Sequence, residues 1–392
     1  MKNEINKFTL AVHGGEEKNK YADSLINPIV QTSTYSFKNT KELCDYMDGK
    51  HPREEYGRYG NPTLRVAQNK LASLDHGIDS ILFSSGMTAV CVTLLSLVEE
   101  DSHIIITNDS YRRTRQFVRD VLSKFGVEYS VVDPTIKSIE SAIQENTTLI
   151  FSESPTNPYL RVLDLKGLAE ITKKKNIISI IDSTFATPYN QTPLDYGIDL
   201  VIHSATKYLG GHNDLMAGVV IGNSDYLLEQ IKQYRNIFGG LLDPNSSYLL
   251  IRGLKTFALR IQQQNNSGLK LAQYLESHPK ILCVHYPGLE SHPDYRTAKE
   301  QLKGFGGLIS FEIDGDIKRT GQFIDNVKIP FIAPSLGGVE SLIEQVCLMS
   351  YYEMTTKERL EVGIKENLVR YSVGIEDVND LIADIDQALS KI

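Results

Sequence analysis

From Asn61 onward the chain alternates short apolar runs with stretches in which apolar residues recur every three or four positions. Leu64, Ala67, Leu71 and Leu74 fall at helical spacing, and Gly77 reads as the stop. Seven runs follow, SILFSS, HIIIT, VEYSVV, TLIFSE, IISIID, LVIHS and AGVVIG, each bounded by polar residues and most separated by amphipathic stretches. Continuous apolar strands alternating with helices predict an α/β fold whose sheet is mostly parallel and covered on both faces. Ligands of such sheets sit beyond the carboxyl ends of the strands.

The texture changes near Leu254. A long polar helical stretch leads to GFGGLISFEI and then to LVRYSVGIED. Val378, Leu381, Ile382, Ile385, Leu389 and Ile392 form one face of a terminal helix. The expected organisation is a large α/β domain over residues 61–253 and a smaller α+β domain over 254–392. Residues 1–60 are irregular, polar and rich in turn formers, as in GKHPREEYGRYGNP. They read as an arm ordered by packing on something else, such as another subunit. No internal repeat or low-complexity linker interrupts the pattern.

Composition narrows the classes. The 392 residues are 41% hydrophobic and 23% charged, with net charge −8 and a pI near 5.7. An acidic balance argues against general nucleic-acid or membrane-surface binding. The start, MKNEINKFTL, lacks the apolar core of a signal peptide. No apolar stretch approaches the roughly 18 residues of a membrane span. Cys44, Cys91, Cys283 and Cys347 are scattered, with no pair at metal-ligand spacing. Neither a disulfide framework nor a metal site is expected, and the reading is a cytoplasmic enzyme with buried free thiols.

The strand ends carry the chemistry. In SILFSSGMTA a strand gives way to Ser85, Gly86 and Met87 at a helix start, where free N–H groups and a small residue suit a phosphate; a plain serine-capped turn reads equally well. In IISIIDST, Asp182 ends a run of isoleucines. A carboxylate there either caps a turn or meets a buried cation. In LVIHSATKYLGG, Lys207 ends another strand, with Ser204 and Thr206 beside it. It is either a surface lysine in a glycine turn or an amine whose pKa a partly apolar pocket lowers for nucleophilic work. Together, one acid for a pyridinium, one lysine for a Schiff base and one phosphate nest describe a pyridoxal 5'-phosphate (PLP) site. Tyr111 offers a ring for stacking or merely packs. Arg370 offers a bidentate grip on a carboxylate or makes a structural ion pair.

HSATKYLGGHND, SSGMTA, ESPTNP, YGRYGNPT, PSLGGVESL and RYSVGIED resemble the Cys/Met-metabolism PLP enzymes over essentially the whole chain. That family includes cystathionine γ-synthases, cystathionine and methionine γ-lyases and O-acylhomoserine sulfhydrylases. The resemblance implies PLP fold type I, with a seven-stranded sheet in the large domain, and a homotetramer of two tight dimers with shared active sites. It implies Lys207 as Schiff-base lysine and proton shuttle, and Asp182 as partner of the pyridine nitrogen. Gly86, Met87, Ser204 and Thr206 would form the phosphate cup, with Tyr56 and Arg58 reaching the phosphate from the neighbouring subunit. Tyr111 would stack on the ring and serve catalysis. Arg370 would hold the substrate carboxylate, with Asn157, Ser335 and Arg113 on the substrate side.

Within the family, DSYRRTRQF and IPFIAPSLGGVESL resemble the plant-type cystathionine γ-synthases. Pro334 stands where many γ-lyases carry glutamate, and Arg113 where methionine γ-lyases carry cysteine. EQVCLMS departs from the pattern by lacking a proline. The expectation is γ-replacement, joining cysteine to O-phospho-, O-succinyl- or O-acetylhomoserine, with γ-lyase or sulfhydrylase as the alternative. Arg112, Arg113 and Arg115 either favour a phosphate leaving group or form a solvated basic helix face. A nicotinamide dehydrogenase has a similar sheet, but no G-x-G-x-x-G follows the first strand.

Overall fold

The computed structural model describes residues 5–392. All seven apolar runs are strands: β1 (Asp79–Phe83), β2 (His103–Thr107), β3 (Glu128–Val132), β4 (Thr147–Glu153), β5 (Ile178–Asp182), β6 (Leu200–His203) and β7 (Gly218–Gly222). They form one sheet in the order β1-β7-β6-β5-β4-β2-β3. Every neighbouring pair is parallel except the two that β7 makes with β1 and β6.

Both faces are covered, which is why the runs are continuous rather than alternating. Ile104, Ile106, Leu149, Phe151, Ile180 and Ile202 pack on one side against the helices Gly86–Leu97 and Asp225–Phe238. Ile105, Ile150 and Ile181 pack on the other against Leu165–Lys175. Leu82, Val201, Val219 and Ile221 meet the helix Pro62–Asp75 there. Asn61 caps that helix, Pro62 occupies its first turn, and it ends with His76 at φ 61°. The left-handed position falls on His76, so Gly77 is not the stop the pattern suggested. Gly77 instead lets the chain approach β7, since a Cβ there would lie 2.4 Å from Cγ2 of Ile221.

The C-terminal part carries a second sheet, β8 (Ile281–His285), β9 (Leu308–Ile313), β10 (Phe331–Ile332), β11 (Leu342–Gln345) and β12 (Leu368–Ser372). Their order is β10-β11-β12-β9-β8. The long helix Phe257–Ser277 and the terminal helix Val378–Leu389 cover it through Leu271, Leu275, Leu381 and Ile385.

Much of the N-terminal segment is ordered by its own chain. The buried Lys70 of the helix Pro62–Asp75 donates to the carbonyls of Ala11 and Val12 at 3.1 and 2.9 Å and pairs with Glu16 at 3.1 Å. Val30 N donates to Thr63 Oγ1 at 3.0 Å. Farther along, Tyr21, Leu25, Met47, Tyr56 and Tyr59 are exposed. The cysteines depart from expectation: all four are free, but only Cys347 is buried, while Cys44 and Cys283 are exposed. Cys283 lies on β8, an edge strand of the second sheet. No helix among the described residues is long and apolar enough to cross a membrane.

Candidate active site

The ends of β1, β4, β5 and β6 open into a cavity of about 450 Å³ at the carboxyl edge of the first sheet. Its walls include Gly86, Met87, Tyr111, Asn157, Asp182, Ser204, Thr206, Lys207, Ser335 and Arg370, ten of the sequence-derived candidates.

Ser85 is the N-cap of the helix that follows β1, its side chain accepting from Thr88 N at 3.0 Å. The helix's first N–H groups, at Gly86 and Met87, have no intrahelical acceptor and border the cavity. A Cβ on Gly86 would lie 2.9 Å from both Cβ and Oγ of Ser204. Glycine is thus what lets the helix start and the β6 end close into one cradle of N–H groups and a hydroxyl, chemistry that suits a phosphate. The Thr206 hydroxyl is held by backbone, accepting from Ala217 N at 3.0 Å.

Asp182 ends β5 facing the cavity. It accepts from Thr184 N at 3.0 Å and from the Thr184 hydroxyl. Burial raises its pKa, opposed by those two hydrogen bonds and by the charge of His203. His203, fully buried, bonds Asp75 at 2.7 Å. Burial alone would lower the His203 pKa, but Asp75 outweighs it and the net direction is upward. Asp182 therefore has hydroxyl and amide donors but no cationic hydrogen-bond partner among the described residues. A protonated ring nitrogen supplies what such a buried carboxylate lacks.

Lys207 extends into the cavity and donates from Nζ to Ser335 Oγ at 2.7 Å. Burial, then the nearby Arg370 charge, lowers its pKa to about 8, against a smaller opposing pull from Glu344. Ser335 holds φ at 98°, a conformation side chains rarely adopt. Its carbonyl accepts from Arg370 Nη2 at 3.3 Å, and Arg370 Nη1 donates to Asn157 Oδ1 at 3.2 Å. Arg370 also pairs with Glu344 at 2.9 Å, its register partner across β11 and β12. The structural ion pair and the cavity-facing guanidinium are thus one arrangement.

Glu153, absent from the sequence-derived candidates, ends β4 beside Asp182 in register and accepts from Tyr111 N at 2.5 Å. Burial, and then the Asp182 charge, pushes its pKa well upward. The rule that singled out Asp182, a carboxylate ending an apolar run, was equally available in TLIFSE.

Three candidates lie elsewhere. Tyr56 and Arg58 do not line this cavity; Arg58 donates to Asn236 O at 2.8 Å and stacks over Tyr56 and Tyr59. Arg113 does not line it either, donating instead to Gln116 Oε1 at 2.6 Å. Arg112 reaches Glu353 at 3.6 Å and Arg115 the Ser110 carbonyl at 3.1 Å.

An amine and a buried acid at adjacent strand ends, next to a phosphate-sized cradle, suit one cofactor, and comparison bears this out. Residues 8–390 match the family described as Cys/Met metabolism PLP-dependent enzyme. The chain belongs to this family. Its cofactor is PLP. As a member of the PLP family it is 48% identical over 388 residues to cystathionine gamma-synthase 1, chloroplastic, of Arabidopsis thaliana, covering 98% of this chain and 69% of that protein. It is 42% identical to the cystathionine gamma-lyase of Bacillus subtilis, covering 99% of this chain and 100% of that one. Among solved structures, metB from Corynebacterium glutamicum superposes with a TM-score of 0.93 at 36% identity, covering 99% of both chains. This PLP enzyme therefore has the fold type I architecture expected of its sequence.

If Lys207 is the amine that captures PLP, its lowered pKa gives a prediction for cofactor loading. Below pH 8 the amine is mostly protonated and unreactive; above it, mostly neutral. The rate at which apoenzyme captures PLP should climb with pH and level off above about 8. Stopped-flow absorbance reads it, and a rate that keeps climbing toward the ordinary lysine range would contradict the lowered pKa.

Proposed function

We propose that the protein is a γ-replacement enzyme, a cystathionine γ-synthase that joins cysteine to an activated homoserine. The observation that carries this reading is the 48% identity to the plant synthase across 98% of the chain, taken with the Lys207, Asp182 and Arg370 pocket. The C–O bond at the γ-carbon breaks, the activating group leaves as its carboxylate or phosphate anion, and a C–S bond to cysteine forms there as the thiol gives up its proton.

When bound, PLP supplies an electron sink for charge developing on the substrate carbons. Gly86, Met87, Ser204 and Thr206 would hold its phosphate, Asp182 would keep a proton on its ring nitrogen, and Tyr111 would offer its ring for stacking. Lys207 would anchor the cofactor's aldehyde, and its Nζ would move protons at the substrate's α-carbon. A pKa of about 8 leaves a useful neutral fraction for that work. Arg370 receives the substrate carboxylate, oriented by Asn157, Ser335 and Glu344. Glu153, through the Tyr111 amide, positions the stacking ring.

Tyr56 and Arg58 are proposed to serve the neighbouring subunit's phosphate within a homotetramer. The exposure of Tyr56 and the absence of both residues from the lining of the chain's own cavity support that role. The location proposed is cytoplasmic. The arginine cluster lends no support to a phosphate leaving group, because its members do not line the cavity.

The γ-lyase reading keeps a specific footing in the 42% identity to the Bacillus enzyme. Product analysis separates the two. O-Phospho-, O-succinyl- and O-acetylhomoserine are each supplied with and without cysteine. Cystathionine should dominate when cysteine saturates; 2-oxobutyrate and ammonia as main products under that condition would defeat the synthase assignment.

A further inference from the structure

Outside the active site, one group of side chains has metal-binding chemistry that the sequence spacing concealed. Cys283 and His285 alternate along β8, so both leave the same face of the strand. Cys283 lies opposite Glu312 of the antiparallel β9. One ligand atom from each of Cys283, His285 and Glu312 falls within 4.8 Å of the others. His285 Nε2 is 3.1 Å from Glu312 Oε1. Glu312 is 4% exposed, so its charge demands compensation.

Cys283 and His285 line a second cavity of about 840 Å³. Asn157, which borders the active-site cavity, lines this one too.

We propose that Cys283, His285 and Glu312 form a site for a single divalent cation of the zinc class. A thiolate and an imidazole select a borderline-soft ion over magnesium or calcium, whose preferred donors are oxygens. Zinc bonds of about 2.0–2.3 Å require the three donors to draw closer together. Rotation of the exposed Cys283 side chain supplies much of that closure. Three protein donors leave a fourth tetrahedral position for water from the cavity.

On binding, the Cys283 thiol releases its proton to solvent as the sulfur–metal bond forms. The competing cation is Lys365, whose Nζ lies 2.9 and 2.8 Å from the two Glu312 oxygens. Its side chain is 55% exposed, so the ammonium can swing into water when the ion arrives. A Glu312–Lys365 ion pair alone needs neither the thiol nor the imidazole. The cation site uses all three donors, ties β8 to β9, and predicts that Lys365 opposes binding.

The test uses holoenzyme freed of metal by a chelator. Equilibrium dialysis with zinc counts ions per chain. Cobalt then reports the ligand field through absorption in the red, where the pyridine ring is transparent. The expected result is one tight ion per chain and a tetrahedral cobalt spectrum. Cys283→Ser, at an exposed position, should weaken zinc by about tenfold or more and abolish that spectrum, whereas Cys44→Ser changes neither. Lys365→Ala should bind several-fold tighter. No zinc uptake by the wild type, a cobalt spectrum that survives Cys283→Ser, or weaker binding in Lys365→Ala would each overturn the proposal.

Discussion

Lys207→Ala is expected to lower turnover by on the order of 10³-fold or more, the scale of a lost acid–base group compounded by a lost covalent anchor. Among the described residues, the Lys207 Nζ is the amine that lines the cavity with Asp182, and burial lowers its pKa to about 8. The Gly86–Ser204 cradle and Asp182 are untouched, so the variant should still hold PLP, more weakly. Cofactor content, measured after denaturation, separates that outcome from misfolding. The same variant tests the proposed role of the arm. Arg58→Ala should also be inactive if Arg58 serves a neighbouring subunit. Refolding a mixture of the two variants then brings an intact Lys207 and an intact Arg58 to one shared site, and part of the activity returns. Sustained turnover by Lys207→Ala alone would defeat the mechanism; failure of the mixture to recover would defeat the shared site only.

Arg370→Ala should produce the second large effect, on stability and activity together. Glu344 is 1% exposed and its ionic partner is Arg370 at 2.9 Å. Removing the guanidinium strands a buried carboxylate, at a cost of about 3–5 kcal/mol. Substrate recognition suffers separately. Losing a charged hydrogen-bond donor to a carboxylate costs about 1.5–3 kcal/mol, or on the order of 10–100-fold in kcat/KM. The double variant Arg370→Met/Glu344→Leu distinguishes the two losses. Replacing a buried ion pair by apolar residues is often neutral or stabilising, so the denaturation midpoint should recover while kcat/KM stays low. Recovery of both would mean that Arg370 is structural alone.

Apart from the edge strand β3, which is largely exposed, the strands of the first sheet were legible because burial on both faces makes them apolar runs, as Ile104–Ile106 shows. The second sheet was less so. On β8, Leu282 and Cys283 are exposed, and β10 has just two residues, both exposed. Their apolar residues, ILCV and FI, therefore do not report a buried strand face. The catalytic candidates were legible because each follows a run of strand residues. What pairs them was not: the Arg370–Glu344 bond depends on the register of β11 against β12. The Cys283–His285–Glu312 group likewise depends on the register of β8 against β9. Spacing along the chain carries no trace of either. Glu153 is different, for its signal was present and parallel to that of Asp182. Tyr56 and Arg58 were marked by resemblance rather than by local pattern, and their contacts within the chain, such as Arg58 with Asn236, do not bring them to the cavity.

The pocket draws Lys207 and Asp182 from the first sheet but Ser335 and Arg370 from the segment that builds the second. During synthesis all seven strands of the first sheet leave the ribosome long before Arg370 does. A nascent chain halted between the two sheets would display the lysine and its acid with no wall opposite them. On the proposed roles of these residues, secure loading of the vitamin would wait until the later portion has emerged and docked, tying coenzyme acquisition to the end of translation rather than its middle.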